Sequence, residues 1–249
     1  MRRLLPLTGI LLFVLAWHLA VATNDGTLVP SPWAAVLGIV ELAQKGLLAK
    51  YVVASLFRVT WGYLAALIIA VPLGVLLGLW QRGEKAVNPV LQLLRPISPL
   101  AWIPIAILWF GVGDVAAVFL IFLASLLPLT LTTINAVHNI EGVHLAAGRN
   151  FGLTGRELVR SVILPAILPQ LIVGMRITLG IAWLVVVAAE MIAVSSGLGF
   201  LIIDARNAGN RYDLVVAGMI LIGVIGVVLD AMMRRLERLP GVRWGYVAE

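Results

Sequence analysis

Between Asp114 and Glu141 the chain carries no Asp, Glu, Lys or Arg, and Leu, Ile, Val, Ala and Phe dominate the stretch. About 20 apolar residues cross a hydrocarbon core as a helix, so a run of this kind belongs in a membrane. Further apolar runs lie at 4–22, 53–80, 89–110, 166–194 and 214–233. Backbone polar groups cannot stay unpaired in lipid, which leaves only helices or a closed barrel as spanning structures. Strand-like alternation is absent, so the runs are read as helices. The fold class expected is therefore all-α, a polytopic membrane protein with about six transmembrane helices. Composition agrees: of 249 residues, 61% are hydrophobic and 12% charged, where soluble domains hold about 25% charged residues.

The predicted organisation has three parts. Residues 1–50 hold a first helix (4–22), a polar loop with Pro30, and an amphipathic interfacial helix (32–50). Met1-Arg2-Arg3 before an apolar core resembles a signal peptide, and Ala20-Val21-Ala22 approaches a cleavage site; the segment is read as a retained helix. Residues 51–235 form the transmembrane core, with a polar loop at 139–165, and 236–249 are a basic tail. Within the core, 81–88 is read as a charged loop, 111–114 as a turn and 195–213 as a looped segment with Gly197, Gly199 and Gly209. The stretch 89–110 is interrupted by Pro89, Pro96, Pro99 and Pro104. Broken backbone at membrane depth survives only when buried in protein or lining a wet cavity. Gly74 and Gly78 form a GxxxG pair with two open readings, close helix packing or a bend at Pro72.

Arg and Lys set the orientation. Arg2, Arg3, Arg82, Lys85, Arg149, Arg156, Arg160, Arg234, Arg235, Arg238 and Arg243 fall on one side of the expected spans, against Lys45, Lys50, Arg206 and Arg211 on the other. The richer side is cytoplasmic, which puts both termini inside. The same clustering at run ends accounts for the net charge of +6 without a nucleic-acid partner. No GxxxxGK[ST] loop occurs, so nucleotide hydrolysis is not expected in this chain. Cysteine is absent, and His18, His138 and His144 are scattered, so no metal or disulfide site is expected.

The loop at 139–165 is polar and basic between two apolar spans. Asn139 is placed to cap a short helix from Ile140, on which Ile140, Val143, Ala147 and Phe151 share a stripe. Gly152 stands where a helix end needs a left-handed residue. Thr154 and Glu157 have capping-box spacing. Pro165 and Pro169 are expected to end the second short helix and break the chain as it enters the membrane. Ala146-Ala147-Gly148 makes one face nearly flat, suited to another surface. Local physics leaves two readings open: a docking knob, or an amphipathic loop on lipid headgroups.

These residues resemble the signature of the permease subunits of bacterial ABC importers, written EAA, three residues, G, nine residues, I-x-LP. Ala146-Ala147-Gly148 fills EAA, Gly152 is the glycine, and Val162-Ile163-Leu164-Pro165 fills I-x-LP. Ala146 departs from the usual glutamate, and Glu141 is too far along the helix to replace it. Outside the loop, segments at 55–62, 95–104, 109–114, 188–191 and 196–206 look like the nitrate, sulfonate, taurine and bicarbonate branch. The resemblance implies a type I importer permease fold with a cytoplasmic coupling helix. It also implies ATPase docking through Ala146, Ala147, Gly148, Arg149, Asn150, Phe151, Gly152, Leu153 and Arg156. Implied partners are ATPase subunits, a second permease copy and a periplasmic or lipid-anchored binding protein, with membrane lipid around the spans. ATP and Mg would sit on the ATPase, and this chain would bind no cofactor and catalyse nothing. The cargo would be a small anion moved by alternating access. Neutral thiamine-precursor pyrimidines are carried by look-alike permeases, and an ion-driven secondary transporter is the rival class, for which Glu190 is the one candidate relay.

Ser98, Trp102, Arg176 and Glu190 are the candidates for the translocation path. For Glu190 the expectation is structural: a basic partner, or broken backbone near 89–110. Arg176 is expected either to snorkel inward or to face the path. Arg58 and Arg95 are read as interface anchors. Ser98, Trp102 and Trp109 are read either as packing or as cavity lining, and Asp230 is expected to pair with Arg234.

Overall fold

A computed structural model describes residues 5–23 and 29–237. Residues 238–249 of the expected basic tail, with Arg238 and Arg243, and the N-terminal Arg2 and Arg3 lie outside the described residues. The described residues form eleven α-helices with no strand: α1 (Leu5–Ala22), α2 (Pro32–Gln44), α3 (Leu47–Leu79), α4 (Gln81–Leu94), α5 (Ile103–Phe110), α6 (Asp114–His138), α7 (Gly142–Asn150), α8 (Gly155–Leu158), α9 (Leu164–Ala193), α10 (Leu198–Asn207) and α11 (Tyr212–Leu236). A 3-10 turn (Pro99–Trp102) precedes α5, and a π-helical turn (Val159–Ile163) joins α8 to α9.

Four helical stretches are long and apolar enough to cross a membrane: α3, α6, the run Gly155–Ala193, and α11. The pair α4 and Pro99–Phe110, bent by 84°, makes a fifth if counted as one broken span. Over its described apolar part, Thr8–Ala22, α1 is shorter than these.

The core is the three-helix packing of α3, α6 and α9. Its inner faces are lined with small residues, including Ala66, Ala70, Ala117, Ala124, Ala182 and Ala189, so the backbones come close. The GxxxG pair is part of this seam rather than a bend. A Cβ on Gly74 would sit 2.5 Å from Cβ of Thr133, and one on Gly78 would sit 2.8 Å from Cβ of Val137. The helix continues without interruption through Pro72 to Leu79.

Two segments expected as loops are helical. The charged stretch 81–88 is the start of α4, an amphipathic helix that buries Leu91 and leaves Gln81, Arg82, Lys85 and Gln92 exposed. Its polarity is one face of a helix. Within 195–213, α10 forms because Leu198, Leu201 and Ala205 recur at helical spacing and bury one stripe. The flanking Gly197 and Gly209 lie outside it. Residues 47–50 belong to α3 rather than to the interfacial helix, which ends at Gln44.

On the side of the bundle away from the 139–165 loop, α2 is tied to the start of α11 by charge. Arg211 donates to Glu41 at 2.5 Å and to Asp213 at 2.7 Å, and Lys45 donates to Glu41 at 2.6 Å. The guanidinium of Arg211, then the ammonium of Lys45, hold the Glu41 carboxyl down from its ordinary 4.5 to about 2. A depressed carboxyl contributes stability that is present above the ordinary value and lost as pH falls through the lowered one. The α2–α11 tie is therefore expected to persist on acidification from pH 4.5 and fail near pH 2. In Arg211→Gln the tie is absent at every pH, so no such loss between pH 4.5 and pH 2 is expected. The fluorescence of Trp33 in α2, followed against pH in both proteins, checks it; coincident curves count against the tie.

Candidate functional site

The 139–165 loop folds into a knob whose inner side is fixed and whose outer side is bare. Gly148 is the contact point between the two halves of the knob: a Cβ there would meet Leu158 at 2.8 Å and Val162 at 2.9 Å. Ile140, Leu145, Leu158 and Val159 pack on a buried cluster of Val75, Ala136, Val137, Ile163 and Ile167, drawn from α3, α6 and the α9 run. Helix α7 ends in a Schellman motif. The N–H of Leu153 donates to the Gly148 carbonyl at 3.1 Å, and the N–H of Gly152 to that of Arg149 at 2.9 Å. Gly152 takes φ +81°, as its spacing predicts.

The exposed side carries Val143, Ala147 and Phe151, four residues apart, with Val143 72% and Phe151 86% exposed. Ala146, Arg149, Asn150 and Arg156 are exposed around it, and Leu153 is half-buried. The face presented outward is therefore Val143–Ala147–Phe151, while Gly148 points inward rather than helping to flatten it.

Three local expectations differ. Asn139 caps the end of α6 rather than the start of α7, and its amide donates to Gln170 at 3.1 Å. Thr154 and Glu157 form no capping box; their link is the N–H of Glu157 to the Thr154 carbonyl at 3.1 Å. Pro165 and Pro169 do not break the chain. Pro165 falls in the first turn of α9, where its missing N–H costs little, and the preceding π-turn relaxes the ladder. The helical run Gly155–Ala193 is 39 residues long, about 58 Å at 1.5 Å per residue. A hydrocarbon core is about 30 Å thick. The knob is thus one end of a single rod that passes through the bundle.

The other end of that rod carries Glu190, fully buried and held by three groups. Arg58 donates to it at 2.6 Å, Ser55 at 2.8 Å and the N–H of Gly199 at 3.0 Å. Arg58 also reaches Asp114 at 2.8 Å and the Ser196 carbonyl at 2.7 Å. Arg58 is 2% exposed, so it is no interface anchor. Glu190 has the expected basic partner, and its backbone donor comes from α10 rather than from 89–110. Gly197, at φ +109°, has room for no side chain, since a Cβ would lie 2.3 Å from the Glu190 carboxyl. The network joins α3, α6, α9 and α10. The signal available in the sequence was two opposite charges inside apolar spans.

Arg176 does not stand free. It donates to Asp230 at 2.5 Å and Glu237 at 3.2 Å, clamping α9 to α11. Arg234 also donates to Asp230, as expected, with its Nε at 2.8 Å.

A cavity of about 780 Å³ lies in the crook between α4, the 3-10 turn and α6. Its lining runs from Glu84, Asn88 and Asn135 at the knob end to Trp102, Ala124 and Ile181 at mid-helix. Trp102 lines it, which fits the cavity-lining reading of that residue. Ser98 instead caps the 3-10 turn, accepting from the N–H of Leu100 at 3.3 Å. Arg176 and Glu190 do not line it.

Residues 70–240 match the family model described as the binding-protein-dependent transport system inner membrane component. The taurine transport system permease protein of Escherichia coli is 34% identical over 191 residues, 76% of this chain and 68% of that one. The bicarbonate transport system permease protein of Synechococcus elongatus is 34% identical over 247 residues, 94% of this chain and 88% of that one. Among solved structures, an inward-facing MetNI methionine ABC transporter shares the fold, with TM-score 0.63 and 23% identity over 77% of this chain and 97% of that one.

Proposed function

This chain belongs to the family of binding-protein-dependent transport system inner membrane components, and we propose that it is the path-forming subunit of an ATP-driven importer for a small anion. Taurine and bicarbonate are the cargoes named for its relatives. The observation that carries the proposal is the knob: a bare apolar stripe, Val143–Ala147–Phe151, on a body locked through Gly148 to the start of a 39-residue helical run. A separate cytoplasmic ATPase grips the stripe. When nucleotide draws two ATPase subunits together, two copies of this chain are carried with them, and the Gly155–Ala193 rod tilts the bundle. Access then alternates between the two faces of the membrane. A binding protein delivers the anion from outside. On this reading the knob and both termini are cytoplasmic, and ATP and Mg stay on the partner.

Reconstitution in proteoliposomes with an ATPase subunit and a binding protein tests it. Uptake of taurine, nitrate or bicarbonate is expected to require ATP and both partners. Uptake that survives ATP removal and collapses with an uncoupler would overturn the proposal in favour of an ion-driven carrier.

A further inference from the structure

The cavity at the knob end holds an arginine that the proposed mechanism has not used. Arg95 follows α4 and lines the cavity beside Gln92 and Asn88, with Thr132 and Asn135 also in the lining, on α6. It is the one Lys or Arg among the lining residues. The one lining carboxylate, Glu84, is occupied by His138 at 3.1 Å. Among the described residues no carboxylate lies within ion-pair distance of Arg95, in contrast to Arg58, Arg176 and Arg211, each of which is matched.

We infer that Arg95, with Gln92 and Asn88, forms an oxyanion transit subsite, the last cationic contact for a sulfonate, nitrate or bicarbonate group before release on the knob side. This rests on the proposed function. A guanidinium presents a planar fork of donors that matches two oxygens of an oxyanion at once. Side-chain amides supply further neutral donors without a competing charge. The far wall of the cavity, Leu123, Leu127 and Trp102, is apolar and adds nothing for an anion to hold. Arg95, Gln92 and Asn88 are exposed at the rim of the cavity, so one positive charge stands at its mouth, where it raises the local anion concentration. At about 780 Å³ the cavity is far larger than such an anion. Binding is accordingly loose, as a group that must let go of its cargo requires.

The test has two arms, both in lipid nanodiscs or proteoliposomes carrying the complete transporter. In the first, ATP-driven uptake of methanesulfonate, nitrate and bicarbonate is compared for Arg95, Arg95→Lys and Arg95→Gln. The Gln variant is expected to lose about tenfold in maximal uptake, with membrane insertion, ATPase assembly and binding-protein affinity unchanged. Lys, which keeps the charge and loses the fork, is expected to lie between. In the second arm, Asn135→Cys supplies the chain's sole thiol, since the sequence has no cysteine, at a position in the same cavity wall. The three anions are expected to slow its alkylation by a neutral maleimide when Arg95 is present, and not in Arg95→Gln. Equal uptake by the Gln variant, or anion protection that ignores residue 95, overturns the subsite. If the parent complex instead moves only neutral solutes, the proposed cargo class fails; anion protection that depends on Arg95 in the second arm would still uphold the subsite.

Discussion

An Arg58→Met chain is expected to lose about 3–5 kcal/mol of stability, the cost of leaving a buried charge without its partner. Glu190 is 0% exposed and has Arg58 as its only cationic neighbour among the described ion pairs. Removing the guanidinium strands that carboxylate inside the bundle. It also frees Asp114 and the Ser196 carbonyl, which Arg58 holds at 2.8 Å and 2.7 Å. One tie between α10 and α3 remains, the N–H of Leu198 donating to the Ser55 hydroxyl at 2.9 Å, while the link from α3 to the turn before α10 is lost. The double variant Arg58→Met, Glu190→Met removes the stranded charge and is expected to recover most of the loss. Recovery stays incomplete, because the Ser55 hydroxyl and the Gly199 N–H lose the acceptor they share, at about 1–3 kcal/mol for each buried donor left unpaired. Unfolding in mixed detergent, followed by circular dichroism, separates the three proteins. A single variant as stable as the parent would show that the network holds nothing together.

The second large effect is on coupling rather than on stability. A Gly152→Val chain is expected to reach the membrane and fold, yet lose about tenfold or more in ATP-driven uptake. Residue 152 sits at φ +81° with open space where a Cβ would point, so the substitution meets no neighbour. What it meets is the backbone: a β-branched residue in the left-handed region costs about 1–3 kcal/mol. Each 1.4 kcal/mol is about a tenfold change in population, so most knobs leave the Schellman geometry that aims Phe151 outward. Asn tolerates the left-handed region, and Gly152→Asn is expected to retain transport. Uptake and ATP hydrolysis measured together give the readout: in the Val variant hydrolysis continues without transport. If Val and Asn behave alike, backbone geometry at the corner is not what couples them.

Much of the architecture was legible because membrane helices announce themselves by length and apolarity. The centres of α3, α6, α9 and α11 follow from runs at 53–80, 115–135, 166–194 and 214–233. The glycine corner was legible too, since only a left-handed residue ends a helix in that way. What escaped was amphipathic or tertiary. Helix α4 looked like a loop because Arg82, Glu84 and Lys85 dominate its start, although Val87 and Leu91 mark its apolar face. The breaks expected at Pro165 and Pro169 do not occur: Pro165 lies in the first turn of α9, where its missing N–H costs little, and α9 continues through Pro169. Arg58 and Glu190 are 132 residues apart in the chain, so their meeting depends on how the helices pack. The same holds for Gly148, whose partners Leu158 and Val162 lie across the corner.

The central claim is that a motor subunit grips the outward stripe of the knob. An Ala147→Cys chain has one thiol, because the parent has none, and it sits between Val143 and Phe151 on that stripe. Loaded with a thiol-reactive photocrosslinker in membranes containing the ATPase, it is expected to give one predominant adduct, with the ATPase, while Val115→Cys at the opposite end of α6 gives none. A thiol at 147 that an impermeant maleimide labels from outside intact cells, or that crosslinks only to lipid, would contradict the account.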